Sequence, residues 1–127
     1  MKSKLDPRHQ RRIKNMQMLF AYDAEQHNQL NPEQQDIVSK LDQIDQHISV
    51  NAPKWPIDQI NKIDLAILRL SIWELLYNQS VPPKVVVDEA VEIAKEFGTE
   101  TSFGFVNGVL GSVIKTISPD GTSNSSK

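Results

Sequence analysis

The chain has 127 residues, 39% of them hydrophobic and 24% charged, with a net charge of −2 and no cysteine. That length suits one domain with a continuous core, and the lack of cysteine excludes disulfides and thiolate metal sites. His9, His27 and His47 are too far apart in sequence to suggest a local ligand pair, so neither a metal nor a cofactor is expected.

The longest apolar run is interrupted by Arg69 and Glu74, which excludes an ordinary membrane span of about 20 residues. The charged N-terminus has no apolar segment behind it and does not read as a secretory signal. A cytoplasmic setting is the expectation. Charge is segregated: within residues 1–14, Lys2, Lys4, Arg8, Arg11, Arg12 and Lys14 stand against Asp6, a net +5, which leaves −7 for the rest. A polyanion would meet this basic arm and be repelled by much of the body, so any nucleic-acid site should be local. The alternative for the arm is a solvated, partly frayed helical turn.

In chain order, residues 1–7 form the arm, and Pro7 can occupy a first helical turn. Ile13, Met16, Met18, Leu19, Phe20 and Tyr22 then give an apolar face on a helix over 8–26. Arg8, Arg11 and Arg12 share a face of it through three- and four-residue spacings. Asn31, Pro32 and Gln34 make a capping box with proline at the first helical position, opening one amphipathic helix that buries Ile37, Val38, Leu41, Ile44 and Ile48. The segment NAPKWP, at 51–56, breaks the chain, because proline disfavours helix both at and before its position.

A short turn to Lys62 precedes Asp64, read as an N-cap, and then LAILRLSIWELLYN, apolar on nearly every side and therefore central. Trp73 and Tyr77 are assigned to the core. Arg69 reads as a rim residue bonding a nearby carboxylate or carbonyl. After Val81, Pro82 and Pro83, a helix over 85–97 should turn Val87, Ala90, Val91, Ala94 and Phe97 inward and stop at Gly98.

The last element, EFGTETSFGFVNGVLGSVI, raises a conflict. Its apolar residues Phe103, Val106, Val109, Leu110, Val113 and Ile114 have helical spacing, with Thr99 or Ser102 as the cap. Yet Gly104, Gly108 and Gly111 weaken a helix by roughly 2 to 3 kcal/mol together. Gly104 and Gly108, one turn apart, would form a flat strip; Gly108 is expected to admit a neighbouring helix, and Asn107 to make a structural hydrogen bond. Residues 118–127 are a polar tail with too little apolar surface to order themselves. The expectation is an all-α single domain of five to six helices over 8–117.

Three segments, IDLAILRLSIWELL, VPPKVVVDEAVEIAKEFG and SFGFVNGVL, occur in the order and spacing of the transcription antitermination factor NusB family, which this chain resembles over about residues 60–117. The basic helix ending in MLFAYD is similar to the first helix of that family. The resemblance implies a helical bundle of the NusB type that pairs with NusE, a small-subunit ribosomal protein. The pair binds boxA-type single-stranded RNA in rRNA transcripts, within the RNA polymerase antitermination complex, and supports antitermination and rRNA processing. The same fold serves as the N-terminal module of an rRNA cytosine methyltransferase; the stand-alone form is expected here.

The chain also departs from the pattern. Between Tyr22 and Asn61 it is about twenty residues shorter than typical members, so the N-terminal half should be reduced. His9 and Gln10 stand where arginines are frequent. Thr101, Phe103 and Gly104 replace an acidic residue and a His-Lys pair, which removes a cationic RNA contact.

With that resemblance, Lys4, Arg8, Arg11, Arg12 and Lys14 become candidates for the RNA backbone. Phe105, off the apolar stripe, becomes the candidate for base stacking, its alternative being a second core face. Phe20, Asp64 and Glu74 are the candidates for the protein partner, whose basic character suits the acidic body. A second reading is an interaction adaptor of the same fold with little RNA affinity. Catalysis is not expected: Glu92 and Glu96 share a helix face, but without a nucleophile, metal cluster or phosphate loop they read as solvated.

Overall fold

The computed structural model describes residues 6–22 and 29–117. Lys4, the end of the expected first helix beyond Tyr22, and the tail 118–127 lie outside the described residues. Six α-helices and no strand occur among the described residues: α1 (Pro7–Tyr22), α2 (Pro32–Ser39), α3 (Leu41–Asn51), α4 (Lys62–Tyr77), α5 (Pro83–Phe97) and α6 (Ser102–Ile117), with a 3-10 turn at Ile57–Gln59 before α4.

The organising element is α4, buried continuously from Asp64 to Leu75. A helix this apolar on all sides is stable only when enclosed, and α1, α3, α5 and α6 all pack against it. Between α5 and α6 the chain turns at Gly98, where a Cβ would collide with the Ser102 hydroxyl and approach the Ala94 carbonyl. Glycine is needed there for close approach, since its backbone is extended (φ −96°) rather than left-handed.

The capping box is present: Asn31 Oδ1 accepts the Gln34 N–H at 2.8 Å and Gln34 Oε1 accepts the Asn31 N–H at 3.2 Å. The single helix expected beyond it is instead two, divided at Lys40. No proline or glycine marks the break. Ser39 turns its hydroxyl onto the Asp36 carbonyl, a bond that competes with helical geometry. Asp36 is meanwhile held by the Trp73 indole N–H at 2.8 Å and by Lys40, so contacts with α4 fix where α2 ends. Trp73 is buried as expected, but Tyr77 is exposed, with Lys40 above its ring.

Three expectations shift by a residue or a turn. Asn61, not Asp64, caps α4, its Oδ1 accepting the N–H groups of Ile63 and Asp64; Asp64 sits inside the first turn. On α5 the buried residues are Val86, Glu89, Ala90, Ile93 and Ala94, with Val87, Val91 and Phe97 only half-buried. On α6 Phe103 is exposed, and the buried stripe is Ser102, Val106, Val109, Leu110 and Val113. The α5 stripe rotates because Glu89 takes an inward position, which becomes possible only when cationic and imidazole groups of α1 meet it.

Candidate nucleic-acid and partner interface

Helix α1 lies against α4 with its charges sorted by depth. Arg12 points inward and makes a bidentate pair with Glu74, at 2.9 and 2.8 Å, and both side chains are more than nine-tenths buried. Burial alone would lower the Arg12 pKa, but the hydrogen bonds and charge of Glu74, with the charge of Glu89, outweigh it and raise the value. Two sequence candidates thus satisfy each other. Arg12 is withdrawn from the basic surface and Glu74 from the partner surface, because a carboxylate and a guanidinium on facing helices bury best as a pair.

The remaining cations are outward. Arg8 binds Asp6 at 3.2 and 3.0 Å and holds the Asp6 carboxyl at about 2 through its side-chain and backbone hydrogen bonds. Its own side chain is 74% exposed. Arg11 is exposed with Glu33 at 3.6 Å, and Lys14 is exposed. The stripe expected from sequence therefore reduces to Arg8, Arg11 and Lys14.

The meeting of Arg12 with Glu74, and a groove shared by Asp6 and Arg8 with Ser80, Val81 and Pro82, run α1 antiparallel to α4. Phe20, exposed near the end of α1, therefore lies toward the Asp64 end of α4. Glu74, ten residues further along, is about 15 Å away along the helix axis. Phe20 and Asp64 belong to one end of the bundle and the basic turn to the other.

Asp64 is buried without a full set of partners. Its Oδ1 has no hydrogen-bond partner among the described residues. Burial raises its pKa, opposed in part by the nearby Ser102 side chain. Asp64 borders a groove of about 450 Å³ lined also by Trp55, Asn61, Thr101 and Phe105. Phe105 is half-buried and stands edge-on to Trp55, ring centroids 6.4 Å apart. It is neither a free platform nor a core residue.

The aromatic that sequence reasoning missed is Phe103. It is 43% exposed, and Lys95 of α5 lies over its ring at 5.2 Å. The resemblance suggested a missing cation at this point of the motif; Lys95 supplies one from the neighbouring helix. No spacing rule within α6 could have revealed that. Phe103, Lys95, Gly104 and Asn107 line one groove of about 550 Å³, while Gly104, Phe105 and Gly108 line another with Trp55. A Cβ at Gly104 or Gly108 would meet nothing within 4 Å, so the close helix packing expected at Gly108 is absent. Its helix cost is unrelieved by packing.

The fold and site define a compact class: an all-helical bundle around one buried helix, with a basic first helix and an aromatic motif exposed on its last. The family model described as the NusB family matches residues 35–115, and the chain belongs to that family. Among its relatives, the transcription antitermination protein NusB of Pseudothermotoga lettingae is 48% identical over 84 residues, covering 66% of this chain and 60% of that protein. The NusB protein of Finegoldia magna is 47% identical over 78 residues, covering 61% and 57%. The chain thus spans about three fifths of the length of the curated relatives it matches. A solved structure of T. maritima NusB superposes with a TM-score of 0.72 at 31% identity, covering 91% of this chain and 93% of that one. No helix among the described residues is long and apolar enough to cross a membrane.

Proposed function

We propose that this chain is an RNA-binding transcription antitermination factor, without catalytic activity, that acts with NusE on boxA-type single-stranded RNA in rRNA transcripts and supports rRNA processing. Family membership supports the antitermination role. The observation that carries the RNA reading is the exposed Phe103 beneath Lys95, a stacking face with a cation beside it. Arg8, Arg11 and Lys14 supply phosphate contacts, which position an RNA strand without reading its sequence. Phe105, flanked by Trp55, offers a second aromatic edge on the same motif.

NusE is assigned to the other end of α1. Phe20 provides an exposed aromatic, and the acidic body, a net −7 outside residues 1–14, suits a basic protein. The adaptor reading draws on one observation of its own, the commitment of Arg12 to Glu74 and of Arg8 to Asp6, which thins the cationic surface.

RNA binding measured with and without NusE separates the two. Three phosphate contacts on a single strand give a slope of log K against log salt near about −2, and Arg11→Ala with Lys14→Ala should flatten it by about 1.4. Phe103→Ala should weaken binding by about 1 to 3 kcal/mol. NusE affinity should survive these changes and fall in Phe20→Ala. A chain that binds NusE yet shows no salt-dependent RNA binding is the adaptor.

A further inference from the structure

The turn between α3 and α4 holds an aromatic face that is open to solvent yet fixed in place. Trp55 is 52% exposed. It lies between Pro53 and Pro56, whose rings restrict the backbone on both sides. Its N–H bonds the Ala52 carbonyl at 3.1 Å, and Ala52 is itself buried. The Ser112 hydroxyl of α6 donates to Asn51 at 2.6 Å and ties the end of α3 to α6. Phe105 then meets the indole at 82°, ring centroids 6.4 Å apart. Such a contact covers at most one face of the indole. A platform ordered in advance loses little side-chain freedom when something settles on it.

We propose that Trp55 is a second nucleobase platform, and that a single-stranded RNA crosses α6 over Gly104 with one base on Phe103 and another on Trp55. This rests on the RNA-binding reading above and extends it from one groove to two. Phe103, Lys95, Gly104 and Asn107 line the groove against α5, and Lys54, Trp55, Gly104, Phe105 and Gly108 line one of about 300 Å³ where α6 meets the turn after α3. Gly104 is common to both. A Cβ there would meet nothing within 4 Å, so a strand passing from one groove to the other crosses bare helix backbone, whose Cα radius is about 2.3 Å against about 5 to 6 Å with side chains.

The chemistry of the two grooves selects a single strand as the occupant. Each pairs an aromatic with a lysine: Lys95 lies over Phe103, and Lys54 precedes Trp55 and lines the same groove. A base needs the face and its phosphate needs the cation. The α5 wall also carries Asp88 and Glu92, which repel phosphate, so what enters that groove is a base. Phe105 acts here as a positioning residue that braces the indole.

The test is tryptophan emission of the intact chain during titration with a boxA-type oligoribonucleotide of about 16 residues, with labelled-RNA anisotropy in parallel and NusE present or absent. The other tryptophan, Trp73, is buried and bonded to Asp36, so it serves as the unresponsive reference. RNA should quench the parent and not Trp55→Phe, which keeps a ring and most of the affinity. Trp55→Ala should lose at least about fivefold in affinity. Gly104→Leu should lose a similar factor while melting no lower than the parent, since its side chain enters open space; it carries the test even if Trp55→Ala folds poorly. RNA binding that weakens in Phe103→Ala but is unchanged in Trp55→Ala and Gly104→Leu, with no quenching, would overturn the second platform and leave the proposed function standing. Quenching of Trp55 by NusE without RNA would make this face a protein interface and overturn it also. Absence of RNA binding in the parent under both conditions would overturn both readings together.

Discussion

Glu74 and Asp64 stand on the same helix and are equally withdrawn from water, 5% and 6% exposed, yet they are opposite kinds of buried carboxylate. Glu74 receives both arms of the Arg12 guanidinium and so completes a contact between α1 and α4. Asp64 leaves Oδ1 without a partner among the described residues. Burial of a charge is tolerated when a partner compensates it and is a standing cost when one does not. The first carboxylate is therefore part of the fold. The second is a standing cost that the fold carries in the first turn of α4.

The strongest way to break the contrast is to remove Arg12. Arg12→Ala leaves Glu74 buried and uncompensated and should cost about 3 to 5 kcal/mol in urea denaturation. Arg12→Met combined with Glu74→Leu should recover most of that, because two apolar side chains need no partner. If Arg12→Ala unfolds no more easily than the parent, the pair is not buried as described.

Asp64 should answer in the other direction. Because burial raises its pKa above the ordinary value, the folded chain holds that proton more tightly than the unfolded chain. The stability contributed by protonated Asp64 is present at and below the ordinary carboxylate range and is lost as pH rises through the raised folded value. Asp64→Asn should therefore be more stable than the parent at neutral pH by roughly 1 kcal/mol. That advantage should vanish as the pH falls to the ordinary carboxylate range. Denaturation midpoints for the two proteins that differ by a constant amount across this range would show that Asp64 does not titrate abnormally.

The smallest effect sharpens the comparison by leaving both carboxylates alone. Gly108 sits mid-helix on an open face, so Gly108→Ala should add about 0.5 to 1 kcal/mol through helix propensity. The pH dependence of stability should be unchanged. A loss of stability in thermal melts would restore the close packing that the sequence suggested for this position.

The elements that depend on local chemistry could be read along the chain. The Asn31–Pro32–Gln34 box starts α2 as read, the prolines at 82 and 83 separate α4 from α5, and the all-round apolar run becomes the enclosed α4. These follow from backbone bonding and from the hydrophobic period, which act over a few residues. Arg69 finds a carboxylate as expected, Asp45 of α3 at 2.9 Å, but it is buried rather than at the rim, because the partner comes from a helix packed against α4.

Which charge faces which follows from how the helices pack. Arg8, Arg11 and Arg12 look alike in sequence, but the packing of α1 on α4 sends Arg12 inward to Glu74 and leaves the other two outside. It likewise gives Phe103 to the surface with Lys95, splits the second helix at Lys40 through Asp36 and Trp73, and gathers His9 with Glu89 and Glu96 from eighty or more residues away. A buried charge is stable only beside a particular partner at a particular distance, and such a distance exists only once helices remote in sequence have come into contact.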